Sequence, residues 1–144
     1  MKLTLLMTIN AVLLVGLGIA FALYGPLMMA FFSVPDKLDN ALSYWQVAAF
    51  ARMFGAALFS FGLLVWAVRG AIDQLSPTAQ RSLLSALMLA NLLGAFVAAT
   101  QQSSVWQTPA GWIATGFFAV FSLAYGYFTF ARPKSEPPHE LEIS

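Results

Sequence analysis

Two long stretches of this chain contain no charged residue, and they constrain the fold more than any other feature. The first lies between Lys2 and Asp36, and the second lies between Arg81 and Arg132. A transmembrane helix needs about 20 consecutive apolar residues, so the second stretch, about 50 residues long, fits two crossings with a turn between them. Only 9% of the residues are charged, against roughly 25% in soluble domains, so the surface of the folded chain must face lipid.

The hydrophobic pattern divides into four segments. We therefore predict an all-α polytopic membrane protein with four transmembrane helices in an antiparallel bundle. The first helix stops at Gly25-Pro26, and Thr108 is a typical N-cap for the fourth. The bundle covers residues 1–132, and the polar residues 133–144 form a tail that buries nothing. The predicted helices span residues 3–23, 41–68, 82–100 and 109–131.

Positive charges are concentrated on one side of this four-helix layout. That side holds five Lys or Arg residues in its short connections and ends, whereas the other side holds only Lys37. Cytoplasmic loops of membrane proteins carry an excess of Lys and Arg, so we expect a multi-pass protein with both termini in the cytoplasm. The five residues are Lys2, Arg69, Arg81, Arg132 and Lys134.

Arg52 is the most informative polar residue within the predicted spans. At 1.5 Å per residue from Arg69, it lies roughly 25 Å into a hydrocarbon core roughly 30 Å thick, within reach of the outer headgroups. Small residues surround it on its helix, a pattern typical of faces where helices approach closely. We therefore expect Arg52 to face the bundle or a partner rather than lipid. These small residues are Ala48, Ala49, Gly55, Ala56 and Gly62.

Three interpretations of Arg52 are open at this point. It clamps the outer ends of three helices, or it anchors an anionic head group or carboxylate in an outward-facing pocket, or it reaches the headgroups without a specific role. The polar residues at the same depth that would accept its hydrogen bonds are Tyr24, Gln46, Thr100 and Gln101, and Asp36 or Asp39 would reach down to it from the first loop.

Asn91 is a second candidate, because it lies about 15 Å above Arg81, close to the middle of the membrane. An amide at this depth forms hydrogen bonds between helices, worth roughly 0.6–2 kcal/mol, or it contacts a ligand. The same alternatives apply to Asn10 on the first helix and to Thr115 and Ser122 on the fourth.

The residue types that are missing exclude most chemistry. The chain has no cysteine, its single histidine is His139 in the polar tail, and every acidic residue lies in a predicted loop or in the tail. Thiolate catalysis, metal or haem ligation and proton-coupled transport each need such groups at depth. Arg52 does not deprotonate, so it is no general base. We therefore expect no enzyme, no cofactor and no metal site, and a net charge of +1 does not favour a nucleic-acid partner.

The second predicted helix carries Arg52-Met-Phe-Gly55-Ala56-Ala57, followed by Gly62-Leu-Leu-Val-Trp66 and Arg69. With this segment and the break at Tyr24-Gly25-Pro26, the chain resembles small uncharacterised bacterial four-helix membrane proteins of the DoxX-like kind. In those proteins an Arg followed by Gly and small residues recurs near the start of the second helix. The resemblance implies a four-helix fold and a bacterial inner (plasma) membrane. It implies no activity, and it carries over no catalytic residue.

Two functional hypotheses from different classes follow. In the first, the chain is an accessory or structural subunit that packs against other membrane protein subunits of a larger complex, because it lacks catalytic groups and has small-residue faces on several helices. In the second, it is a stand-alone binder or carrier of a lipophilic molecule such as a lipid, a quinone or a carotenoid. Arg52, Tyr24 and Gln101 would then be the polar anchors. The lipid bilayer is a partner in both hypotheses, and a homo-oligomer is compatible with both.

Overall fold

The computed structural model describes residues 2–34, 41–106 and 108–131, and the statements below concern that part of the chain. No strand occurs in it. Four of its helices are long and apolar enough to cross a membrane, which confirms the predicted all-α membrane bundle. The predicted tail at 133–144 lies outside the described residues. The helices are α1 (Leu3–Leu23), α2 (Gly25–Phe31), α3 (Ala41–Arg69), α4 (Pro77–Gln101) and α5 (Pro109–Phe130).

The helix limits agree with the predicted ones at α1 and differ most at α4. We predicted that α4 starts at Ser82, but it begins at Pro77 and so includes a polar first turn. The hydroxyl oxygen of Ser76 caps this turn by accepting a hydrogen bond from the Ala79 amide over 3.3 Å. Proline suits the first helical position, where an N–H would have no partner within the helix. The cap and the proline therefore start the helix before the apolar run does.

The other end of α4 is also longer than predicted. The polar residues after Thr100 were expected to form a turn, but the chain continues as a π-helix over Gln102–Trp106. The hydroxyls of Ser103 and Ser104 both donate to the Thr100 carbonyl oxygen, over 2.9 and 2.7 Å. Polar side chains here satisfy the backbone of a widened helical turn instead of ending it.

A break at Tyr24 separates α1 from α2. Pro26 lies in the first turn of α2, where its ring prevents α1 from continuing as a straight helix. Helix α2 ends at a residue in the left-handed conformation, Ser33 with φ of 56°. The amide of Val34 then donates to the Met29 carbonyl oxygen over 2.9 Å, which closes the end of the helix.

Helices α1 and α3 form one tightly packed pair, and α4 and α5 form a second. The first pair meets at glycines. Gly55 of α3 lies against the backbone of α1 near Gly18, and Gly62 repeats this contact two turns further along. Glycine lets the two helix backbones approach more closely than a larger residue permits. In the second pair, Gly94 of α4 lies against the ring of Phe118.

The two pairs join at the end of the bundle where α1 starts and α5 ends, which we call the near end. There the start of α1, the connection between α3 and α4, and the end of α5 line one cavity. At the far end the rings of Phe32 and Trp106 are in contact, with centroids 4.7 Å apart. The helices therefore alternate in direction, as an antiparallel bundle requires. The buried core residues are Leu6, Met7, Ala11, Val65, Ile72, Leu84, Leu87, Phe121 and Tyr125.

Candidate functional site

Arg52, the main candidate, lies on the outside of α3 beside the break between α1 and α2. The aliphatic part of its side chain covers Gly25, where a Cβ would be 3.3 Å from the Arg52 Cγ. The Arg52 side chain is otherwise exposed, and it forms no hydrogen bond or ion pair within the described residues. Asp36 and Asp39, two of its predicted acceptors, lie outside those residues. The described part of the chain therefore shows an apolar contact at Arg52 and no clamp between three helices.

The other predicted acceptors do not gather around Arg52. Tyr24 marks the helix break and is 60% exposed, and Gln101 lies half-buried at the end of α4. The hydroxyl of Thr100 donates to the Val97 carbonyl oxygen over 2.8 Å, within its own helix. No hydrogen bond among the described residues connects Arg52 to any of these three or to Gln46, which is exposed on α3. The structure thus brings Arg52 to the break that Tyr24 marks but does not assemble the predicted anchor.

Ser122 is one of the candidate residues that form a hydrogen bond between helices. Its hydroxyl donates to the Met88 carbonyl oxygen of α4 over 3.1 Å. Asn91 is buried, but its amide nitrogen donates to the Leu87 carbonyl oxygen of its own helix over 2.8 Å. Thr115 likewise donates within its own helix. Ser122 therefore fastens α4 to α5, whereas the Asn91 amide nitrogen bonds one turn back along α4.

A buried hydrogen bond joins the two helix pairs. The amide nitrogen of Asn10 on α1 donates to the hydroxyl oxygen of Tyr125 on α5 over 2.8 Å, and both side chains are fully buried. The Asn10 Oδ1 has no partner among the described residues. The sequence left open whether Asn10 bonds to another helix or contacts a ligand, and it did not indicate Tyr125 as the partner. Their similar depth in the membrane was the signal that could have indicated this pair. Asn10 lies about 10 Å from the start of α1, and Tyr125 lies about 8 Å from the end of α5.

Arg69 was used above only to predict the orientation of the chain in the membrane, but its side chain is held in a defined position. Its Nη1 donates to the hydroxyl oxygen of Thr8 on α1 over 2.9 Å. Its guanidinium carbon Cζ lies 3.7 Å from the centre of the Trp66 ring. The Thr8 hydroxyl donates in turn to the Thr4 carbonyl oxygen over 2.7 Å. These contacts fix a positive charge at the near end of the α1–α3 pair.

At the far end, the π-helix places the Gln102 side chain between α4 and α5. This side chain is buried, and its Oε1 lies so close to Gly111 that no Cβ fits there. Neither Gln102 Oε1 nor Thr108 Oγ1 has a hydrogen-bond partner among the described residues. The Gln102 side chain therefore packs directly on Gly111, and any larger residue at position 111 would displace the Gln102 side chain.

The cavities among the described residues include two that lie between the helices. The larger, about 280 Å³, is lined by apolar side chains of α1, α3 and α4, such as Met7 and Phe61. The smaller, about 220 Å³, lies at the near end and has Asp73, Gln80 and Arg81 in its lining. Neither cavity is lined by any of the four predicted site residues. The predicted polar anchors therefore lie outside both of these cavities.

Comparisons with models of known protein families, with curated proteins and with solved structures find no match for this chain. The DoxX-like resemblance of the segment that begins at Arg52 therefore stays a prediction. The function has to be argued from the helices and their polar contacts.

The polar contacts described above are suited to binding and packing. Within the described residues, no three His, Cys, Asp or Glu side chains lie close enough together to hold a metal ion. The side chains that form hydrogen bonds between helices among the described residues carry amide, hydroxyl and guanidinium groups. These groups donate and accept hydrogen bonds, and the guanidinium groups bind anions. Such an arrangement suits helix association and the binding of a headgroup or ligand.

Proposed function

We propose that the protein is a non-catalytic membrane protein that acts as an accessory or structural subunit of a larger membrane complex. The observation that carries this proposal is a second face of small residues on α3, which its own bundle leaves uncovered. Ala49, Ala56, Ser60 and Ala67 are all exposed. At 100° per residue they fall within about 40° of arc, so they form one narrow row along the helix, the α3 outer stripe.

The α3 outer stripe is separate from the face of α3 that packs on α1. Gly55 and Gly62 face α1, Ala48 lies beside Gly25 of α2, and all three small residues are buried. They lie about 120° around the helix from the outer stripe. Small residues on a membrane helix permit close helix–helix contact, which is where van der Waals packing between helices is strongest. A partner helix therefore has room on the side of α3 that faces away from α1.

Arg52 lies at the edge of the α3 outer stripe and supports the same proposal. At 100° per residue it is about 40° around the helix from Ala56, and it has no acceptor among the described residues. Arginines within transmembrane segments usually pair with acidic groups or backbone carbonyls. A partner helix on the stripe would bring such an acceptor within reach of the guanidinium group.

Ala56→Leu tests this proposal because it fills the middle of the α3 outer stripe. The leucine stays apolar and favours helix, so the bundle itself should fold, whereas a partner helix can no longer approach. We expect recovery in a complex with other polypeptides, measured by native electrophoresis of mildly solubilised membranes, to fall about tenfold. The matched control is Val97→Leu at an exposed position of α4, which should leave the complex intact. Equal recovery of Ala56→Leu and wild type would contradict the proposal.

A binder of lipophilic molecules is the second candidate, and the larger cavity supports it. The cavity has a volume of about 280 Å³ and an apolar lining that extends from Leu83 to Ala90 on α4. A ligand there would be held by apolar contacts, without the Arg52 anchor that the sequence suggested. A defined small molecule that co-purifies with a lone chain would favour this candidate over the subunit.

We infer a bacterial inner membrane location with both termini in the cytoplasm, from the distribution of positive charge and from the DoxX-like resemblance. Lys2, Arg69 and Arg81 support this orientation, because the parts of the chain that carry them lie together at the near end. A reporter domain fused after Ser144 that was active only outside the cell would contradict the orientation.

A further inference from the structure

The guanidinium group of Arg69 is fixed at the surface of the α1–α3 pair. One of its N–H groups donates to Thr8, and its Cζ lies over the Trp66 ring, 3.7 Å from the ring centre. Trp66 is 43% exposed, and Arg69 is partly exposed. The two side chains therefore present an open side to the surroundings of the bundle.

No carboxylate neutralises this charge within the described residues. Asp73 is the one acidic residue in that part of the chain, and it lies in the smaller cavity together with Arg81. A guanidinium group has five N–H donors, and Thr8 is the acceptor of one of those on Arg69. The planar guanidinium of Arg69 therefore has donors left that match two oxygens of a phosphate or carboxylate.

The depth of the guanidinium group indicates which anion it meets. Thr8 lies five residues inside the start of α1 at Leu3, about 7.5 Å along the helix. The hydrogen bond to Thr8 therefore turns the Arg69 side chain towards the bilayer instead of towards water. Tryptophan favours the same level, where the headgroups meet the acyl chains. A soluble anion loses hydration at this depth, whereas a phospholipid brings its phosphate there together with its tails.

We propose that Arg69, Trp66 and Thr8 form a binding site for the phosphate of an anionic phospholipid in the leaflet at the near end. Arg69 provides the charge and the N–H donors, Trp66 holds the guanidinium plane, and Thr8 sets its direction. Leu5 and Val12 flank Thr8 on the same face of α1 and are each 52% exposed. They provide an apolar surface along which the acyl chains lie.

The test uses the full chain, purified in a neutral detergent. It is titrated with phosphatidylglycerol or with phosphatidylcholine of the same acyl chains, and bound lipid is counted by native mass spectrometry. We expect wild type to prefer phosphatidylglycerol and Arg69→Gln to bind it about tenfold more weakly, because a charged hydrogen bond is lost. Arg81→Gln is the matched control, since Arg81 is an exposed arginine at the same end. Its affinity for phosphatidylglycerol should equal that of wild type.

Three results would overturn the proposal. Arg69→Gln could bind phosphatidylglycerol as well as wild type does, or Arg81→Gln could lose as much affinity, which would show a response to overall positive charge. Inorganic phosphate at the lipid concentration could displace the lipid, which would show a site for soluble anions.

If Arg69→Gln does not fold, Trp66→Leu tests the proposal instead, because it keeps the positive charge of Arg69 and removes the ring that holds the guanidinium group. We expect a loss of about threefold there, and an unchanged affinity would equally overturn the proposal.

Discussion

Gly55→Ala is expected to lower the free energy of unfolding by about 3 kcal/mol, the upper end of the range for overpacked cores. A Cβ at position 55 would lie 2.8 Å from the Gly18 carbonyl oxygen and 2.8 Å from the Phe21 carbonyl carbon. Because these are backbone atoms, no side-chain rotation relieves the contact, and α1 has to move away from α3. Unfolding in mixed detergent–SDS micelles, followed by tryptophan fluorescence, measures the loss.

Gly16→Ala is the matched control for this prediction. Gly16 lies on the same pair of helices, but a Cβ there meets no atom within 4 Å. Alanine favours helix over glycine by up to about 1 kcal/mol, so this variant should be as stable as wild type or slightly more stable. Equal destabilisation of Gly16→Ala and Gly55→Ala would mean that close approach of α1 and α3 is not what requires glycine.

Tyr125→Phe is expected to lower the free energy of unfolding by about 1–2 kcal/mol. The phenylalanine ring fills the same space, but the Asn10 amide nitrogen loses the hydroxyl oxygen that accepts its hydrogen bond. Asn10 is fully buried and its Oδ1 already lacks a partner in the described part of the chain. The variant therefore leaves a whole amide unpaired inside the membrane. The same micelle unfolding assay measures the effect.

Two further variants separate the hydrogen bond from general effects of the substitution. Tyr127→Phe removes a hydroxyl from the same helix at a position that is 68% exposed, and it should leave stability unchanged. Adding Asn10→Leu to Tyr125→Phe removes both partners, so most of the lost stability should return. If Tyr125→Phe and Tyr127→Phe behaved alike, the bond between Asn10 and Tyr125 would not stabilise the contact between the helix pairs.

The four spans could be predicted because length, hydropathy and the absence of charge are properties of a single segment. The limits of α1 were right because Gly25-Pro26 is a local signal. The limits of α4 differ from the predicted ones because the prediction followed the apolar run and took the polar residues after Thr100 as a turn. At Ser76 a polar side chain starts the helix instead, and at Ser103 it supports a π-helical turn.

The polar sites depend on which helices are neighbours, and a single sequence does not give that. The bond between Asn10 and Tyr125 requires α1 to lie beside α5. Arg69 is held by Thr8 of α1 as well as by Trp66 of its own helix, so its position depends on α1 lying beside α3. Arg52 could be placed in depth by counting residues, but its contact with Gly25 depends on the packing of α2 against α3.

Native mass spectrometry of the untagged protein, extracted from its own membrane in mild detergent, tests the proposed subunit function most directly. We expect a mass far above the 15.6 kDa of the single chain, with other polypeptides present in a fixed ratio. A lone chain that carries one defined small molecule would contradict the subunit function and would make the protein a lipophilic binder.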